Sequence, residues 1–161
     1  MSVPEQEITR DAVINLREVT ADTVWKITRL KVKPEQEQFV ADNAFSIAQA
    51  YFEPKAWFRA IYADETPVGF VMLYDDPDKP EYYLWRYMID ARYQRMGFGL
   101  QAMRLLIDYV RTRPAATALL TSYVPGEGNP SPFYARLGFV ETGEVDDDEN
   151  VMRLALEYDE R

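Results

Sequence analysis

The chain has no histidine and no cysteine among its 161 residues. Those two absences exclude the usual zinc ligand sets, Ser-His-Asp and Cys-His nucleophile pairs, thiol redox centres and any imidazole base. Acid or base chemistry must then come from Tyr, Asp, Glu, Lys or water. Basic residues are scarce as well, with 18 Lys and Arg against 27 Asp and Glu for a net charge of −9. Phosphate neutralisation needs a basic face, so no nucleic-acid partner is expected, and a small cationic partner suits the charge better. Nowhere does a run of about 18 apolar residues occur that could span a bilayer, and MSVPEQEITRD lacks the apolar core of a secretory signal. The expectation is a soluble cytoplasmic protein with no membrane partner and no metal. Without repeats or long linkers, residues 1–161 read as a single domain that buries roughly 70% of its unfolded surface.

What is present is a succession of periodic segments. AVINLREV (12–19) reads as a strand, and Thr20 is placed to cap a helix through ADTVWKITRLKV with Val24, Ile27 and Lys31 on one side. Val40, Ala44, Ile47 and Tyr51 recur at three and four residue spacing, which predicts a second helix from Glu35 to Phe52 stopped by Pro54. AWFRAIY and PVGFVMLY form a hairpin signal across Ala63 to Thr66, and YYLWRYMI (82–89) makes a fourth strand. Leu100, Met103, Leu106, Ile107 and Val110 form the stripe of a helix that opens after Gly97 and Gly99 and ends at Pro114. A fifth strand, ALLTSYV, leads through PGEGNP into a short helix with Ser131 as N-cap, Pro132 at the first helical position and Gly138 as C-cap. FVETGEV and VMRLALEY close the chain as a hairpin across Asp146 to Asn150. Three consecutive strands before the glycine helix favour a mixed α/β (α+β) sheet over a fully parallel one.

The segment YQRMGFGLQAM carries the strongest chemical signal. It follows a strand, opens a helix and holds two glycines two apart, so backbone N–H groups converge on an anion at the positive end of the helix dipole. Six arginines (86, 92, 95, 104, 111 and 113) against Asp90 and Asp108 give this region a local +4, leaving −13 for the rest. A solvated helix face explains the same arginines equally simply. Gly97, Gly99 and Ala102 also spell the GxGxxA dinucleotide fingerprint, but seven residues separate strand from glycine, and position 117, where an acidic residue is needed, is Thr. An NAD(P)-dependent oxidoreductase using GFGLQA is therefore a weak reading of the loop; the resemblance that follows implies an acyl-CoA site instead.

IDARYQRMGFG resembles the (Q/R)xxGx(G/A) pyrophosphate loop of the GNAT superfamily of N-acetyltransferases, with Gln94, Gly97 and Gly99 on its key positions. FYARLGFVETG resembles the later motif of the same superfamily, a tyrosine-bearing helix that ends in LGF before a strand. Together they cover roughly residues 55 to 156, and WRYMID and PGEGNPSPFY are most similar to bacterial spermine and spermidine N-acetyltransferases. The resemblance implies a GNAT-like, mostly antiparallel central sheet flanked by helices, acetyl-CoA as co-substrate, and a homodimer. It further implies that backbone groups of Tyr87, Met88 and Ile89 bind the pantetheine arm. N–H groups of Arg95, Met96, Gly97, Phe98 and Gly99, with the Gln94 side chain nearby, would hold the pyrophosphate. Tyr134 matches the tyrosine that protonates the leaving sulfur, and with Phe133 and Leu137 facing the core it is expected to point along the cofactor groove. Asn129 stands five positions upstream of it, as a cofactor contact or as a loop cap.

The base is less defined. An aliphatic amine with a lysine-like pKa is about 0.1% neutral at pH 7, and deprotonation costs on the order of 4 kcal/mol without help. Some relatives carry a glutamate midway along the fourth strand for this step, where Tyr83, Leu84 and Trp85 stand here. Glu53 and Glu81, as substrate residues, and Asp75 or Asp76 remain to act through water. Asp146, Asp147, Asp148 and Glu149 read as a solvated hairpin turn. The resulting expectation is direct acetyl transfer to the primary amine of a small substrate, with a polyamine favoured by the residual charge. An amino acid, an aminoglycoside or a protein N-terminus stays open as acceptor, as does a catalytically silent acyl-CoA-binding module.

Overall fold

The computed structural model describes residues 7–156. The first six residues of the stretch read for a signal, and Glu157 and Tyr158 at the end of the last predicted strand, lie outside that range. Seven strands, β1 (Ile14–Arg17), β2 (Ala56–Ala63), β3 (Thr66–Tyr74), β4 (Glu81–Ile89), β5 (Ala118–Tyr123), β6 (Val140–Asp146) and β7 (Glu149–Ala155), form one sheet in the order β1-β2-β3-β4-β5-β7-β6. All neighbours are antiparallel except β4 and β5. A doubly wound nucleotide-binding sheet needs a run of parallel strands, so the GxGxxA reading has no frame in this topology. Among the described residues no helix is long and apolar enough to cross a membrane.

Among the described residues four helices cover the two faces: α1 (Val24–Thr28), α2 (Asn43–Tyr51), α3 (Phe98–Arg111) and α4 (Ser131–Arg136). One core, on the face of α3 and α4, gathers Val71, Leu73, Tyr82, Leu84, Ile89, Phe98, Met103, Leu106, Leu119 and Tyr134. The other, beneath α1 and α2, holds Ile27, Leu30, Tyr62, Phe70, Met72 and Met88. The middle of the sheet is buried from both sides, which is why β3 reads as a continuous apolar run rather than an alternating one, whereas every residue of β6 at the far edge is exposed.

The predicted element order is correct, but three boundaries differ. The expected helix from Glu35 to Phe52 is two pieces: a 3-10 segment, Pro34–Phe39, and α2, separated by Val40 in an extended conformation. Asp42 decides the break, because its carboxylate accepts the Phe45 N–H at 2.7 Å and starts a fresh helix there. The first helix is five residues long rather than twelve, and Thr20 does not cap it; Thr20 instead donates its N–H to the Thr23 hydroxyl at 2.9 Å. Beyond Thr28 the chain turns inward so that Leu30 is buried and the Lys31 N–H reaches Asp90 at 2.9 Å. In α4 the cap falls one residue earlier than expected, at Pro130, and Asn129 rather than Ser131 supplies the capping oxygen, accepting the Ser131 N–H at 2.9 Å.

Two irregularities of β4 shape everything that follows. Leu73 pairs with Leu84 and Met72 with Arg86, so Trp85 is the extra residue of a bulge. Before the bulge even-numbered residues face α3, since Tyr82 and Leu84 lie in its core; after it Tyr87 and Ile89 do. The second irregularity is that β4 pairs with β5 only from Glu81↔Ala118 to Leu84↔Thr121, while β4 runs on to Ile89. Past Leu84 the two strands part and leave a gap in the sheet.

Candidate active site

The gap opens into a groove of about 1650 Å³. On the α3 side its walls are the backbone of Tyr87 to Ile89, the loop Gln94–Gly99, the segment 128–130, and Phe133 and Tyr134 of α4. Arg95 and Gly97 both have left-handed backbones, with φ of 64° and 82°, and the second of these caps α3. Left-handed residues alternating with ordinary ones turn successive N–H groups into one concavity at a helix N-terminus, a cradle for phosphate oxygens. A Cβ on Gly97 would meet no atom within 4 Å, so its glycine serves the backbone angle rather than space.

Gln94 lines the groove beside this loop, and its side chain is held there by hydrogen bonds. Its amide nitrogen donates to the Ile89 carbonyl at 2.9 Å and to the Gln36 amide oxygen at 2.8 Å, fastening the 3-10 segment to the loop. Gln36 also receives the Lys33 N–H at 3.1 Å. The segment 34–41, which helical periodicity concealed, is thereby a wall of the groove.

Tyr134 is buried, with its ring against Phe133 and Phe139 at centroid distances of 5.6 and 5.5 Å. Phe133, predicted to be the core residue of the pair, is only half-buried and stacks on Tyr87 at 5.6 Å. The bulge is responsible, because it turns Tyr87 toward α4. Burial pushes the Tyr134 hydroxyl up to about 12, against a lowering by the Thr121 hydroxyl, and the Glu149 charge adds to the rise. Burial likewise holds Tyr87 well above its ordinary value. Asn129 lines the groove, yet its side chain is committed to its own loop, donating to the Gly126 carbonyl at 2.7 Å as well as capping α4.

The opposite mouth lies on the α1 and α2 face. Glu53, Glu81, Asp146, Asp147 and Glu149 line it together with Tyr83, Trp85, Arg86 and Ser122. Glu53 accepts the Lys55 N–H at 3.1 Å, and Glu81 meets Arg153 at 3.3 Å. Asp75 and Asp76, named above as carboxylates for water relay, are elsewhere. Asp75 is bound by the Tyr109 hydroxyl at 2.8 Å and Arg113 at 3.0 Å, and Asp76 by Lys55 at 3.1 Å and the Asp78 N–H at 3.0 Å. Both are structural ties. The arginine island disperses in the same way: Arg92, Arg111 and Arg113 pair with Asp90, Asp108 and Asp75, and of the six only Arg86 and Arg95 line the groove.

Glu149, read from the sequence as part of a solvated turn, lines the groove instead. The Asp147–Asp148 turn has φ of 51° and 66° and is exposed, but Glu149 begins β7, is half-buried, and accepts a hydrogen bond from Ser122 at 3.4 Å. The only available signal was a two-residue hairpin turn, which fixes where the second strand begins. No group of three or more Asp or Glu is arranged to hold a metal ion among the described residues.

Comparison with known proteins agrees with this geometry. Residues 20–139 match the model of the acetyltransferase (GNAT) family. A spermine/spermidine N(1)-acetyltransferase of Bacillus subtilis is 28% identical over 143 residues, covering 83% of this chain and 91% of that protein. Among solved structures, an acetyltransferase from Thermus thermophilus superposes with a TM-score of 0.71 at 15% identity, over 89% of this chain and 97% of the other. An N-acetyltransferase from Thermoplasma acidophilum, solved in complex with coenzyme A, gives 0.60 at 15% identity over 89% and 99%. The chain belongs to the acetyltransferase (GNAT) family and is an acetyl-CoA-dependent N-acetyltransferase.

Proposed function

We propose that the protein transfers the acetyl group of acetyl-CoA directly to a primary amine of a polyamine such as spermidine or spermine. The observation that carries the reading is the gap between β4 and β5, with a phosphate cradle at one mouth and carboxylates at the other. Five carboxylates against Lys79, Arg86 and the Arg153 that pairs with Glu81 leave the second mouth net negative and attractive to a polycation. The Bacillus subtilis relative, named for spermine and spermidine, points the same way.

Bound acetyl-CoA supplies the activated acetyl group and the leaving sulfur. The N–H groups of Arg95 to Gly99 take its pyrophosphate at the start of α3. Along β4, the edge of Tyr87, Met88 and Ile89 left free by the departure of β5 offers N–H and carbonyl groups to the pantetheine arm, as a missing strand would. Gln94 acts by fixing that edge and loop together, and Asn129 by holding the facing loop. Tyr134 stays protonated at neutral pH and gives its hydroxyl proton, or a hydrogen bond, to the sulfur as the C–S bond breaks. Glu53 and Glu81 serve the distant ammonium groups of the acceptor.

A free-thiol release assay with acetyl-CoA across spermidine, spermine, putrescine, amino acids and aminoglycosides tests the reading. Turnover greatest with spermidine and spermine is expected. Activity confined to amino acids or aminoglycosides would overturn the polyamine assignment, and acetyl-CoA binding without turnover of any amine would overturn transfer itself.

A further inference from the structure

β4 has no carboxylate at its centre to receive the acceptor's proton, yet the tertiary structure delivers one to the same place from another strand. In the register of β5 and β7, Thr121 lies opposite Met152 and Tyr123 opposite Asn150. Met152 and Tyr123 both belong to the core beneath α3, so alternation sends Ser122 and Glu149 to the other face. Tyr83 and Trp85 point to that face too, and the bulge adds Arg86. Tyr134 approaches from the α3 face. The Ser122 hydroxyl orients Glu149 at 3.4 Å, and both residues line the groove. The gap between β4 and β5 therefore has a phenol on one side and a carboxylate on the other.

We propose that Glu149 receives the acceptor amine's proton, directly or through one water, on the sheet face opposite Tyr134. This rests on the acetyl-transfer reading above. The ammonium gives one proton to the Glu149 carboxylate, which passes it to solvent. The neutral amine nitrogen then forms the bond to the acetyl carbon, the C–S bond breaks, and the sulfur takes the Tyr134 proton. The second proton lost from nitrogen restores Tyr134, so the step balances as amide, free thiol and one released proton. The charge of Glu149 is felt across the gap, since it raises Tyr134 as well as Tyr83 and opposes the burial that lowers Arg86. The charged and titratable groups facing it are Tyr83 and Arg86 from β4, Asp146 directly across from it on β6, and Tyr134 through the gap.

Glu149→Gln keeps the shape and the Ser122 hydrogen bond while removing the proton acceptor. At neutral pH kcat/KM for spermidine is expected to fall by about 10² to 10⁴ fold, with acetyl-CoA affinity and thermal unfolding as in the wild type. The residual rate should climb roughly tenfold per pH unit toward the amine's own pKa, as the free base replaces the lost acceptor. Glu149→Asp should recover part of the loss. Wild-type kcat/KM and pH profile in Glu149→Gln, with the parent enzyme active, would overturn this role alone. A parent enzyme that binds acetyl-CoA yet acetylates no amine would overturn it together with the transfer reading.

Discussion

The Tyr87 hydroxyl donates a hydrogen bond to the Gly99 carbonyl at 2.6 Å, and a Cβ built on Gly99 would stand 2.8 Å from the Tyr87 hydroxyl oxygen. β4 and the start of α3 are thus held together through one phenol and one missing methyl. Gly99→Ala should destabilise the wild-type background, and in the Tyr87→Phe background it should be neutral or stabilising, because alanine is favoured over glycine in a helix by about 1 kcal/mol. Tyr87→Phe alone should cost about 0.5–1.5 kcal/mol. Urea unfolding of the four proteins measures the coupling, and strictly additive effects would contradict the contact.

Tyr134→Phe should lower kcat by about 10² to 10⁴ fold with little change in acetyl-CoA affinity, as expected for the loss of one general acid. Undiminished turnover would refute the role. Because burial lifts the hydroxyl to about 12, the wild type should show no loss of this donor through pH 10. A folded-state value raised above the ordinary phenol value of 10.0 also contributes stability that is complete below pH 10 and lost as pH rises through 12. The alkaline midpoint of thermal unfolding should therefore shift upward in the phenylalanine variant.

Asp90 gives the opposite sign at the acid end. Burial opposes its ionisation, but hydrogen bonds from the Arg92 side chain, the Lys31 N–H and the Arg92 N–H prevail, and its value lies below the ordinary 3.8. A depressed carboxylate stabilises the fold above its unfolded-state value and loses that contribution as pH falls through the folded one. Melting temperatures from pH 7 to pH 3 should fall more steeply in the wild type than in Asp90→Asn, which starts lower.

Gln36→Ala should release the wall segment from the loop. Losing its hydrogen bonds to Gln94 and Lys33 is worth about 1 kcal/mol each. Faster amide exchange confined to residues 33–40, with a several-fold weaker acetyl-CoA affinity, is the expected pair of results. Global destabilisation without change at that segment would argue against the tie.

Much of this molecule is written locally. Gly97, a strand before it and the apolar stripe from Met103 to Val110 specify where α3 starts and which face it buries, and FYARLGF sets Tyr134 on a short capped helix. Helix periodicity failed at 35–52 because Asp42 can cap as well as continue, a choice made by side-chain hydrogen bonding that periodicity does not register. Asp75 and Asp76 looked like reactive acids because a sequence shows charge but not partner; Tyr109, Arg113 and Lys55 claim them from distant elements.

The absence of histidine and cysteine, read from composition, by itself confined acid and base chemistry to Tyr, Asp, Glu, Lys or water. Which carboxylates face the groove was beyond its reach. Glu149 is 15 positions from Tyr134 and some 60 from the bulge that reverses β4, and only the register of β5 against β7 turns it toward the gap. Loop and helix starts are set by neighbours along the chain, whereas the face a strand residue occupies is set by pairing across the sheet, where one bulge reverses every side chain beyond it.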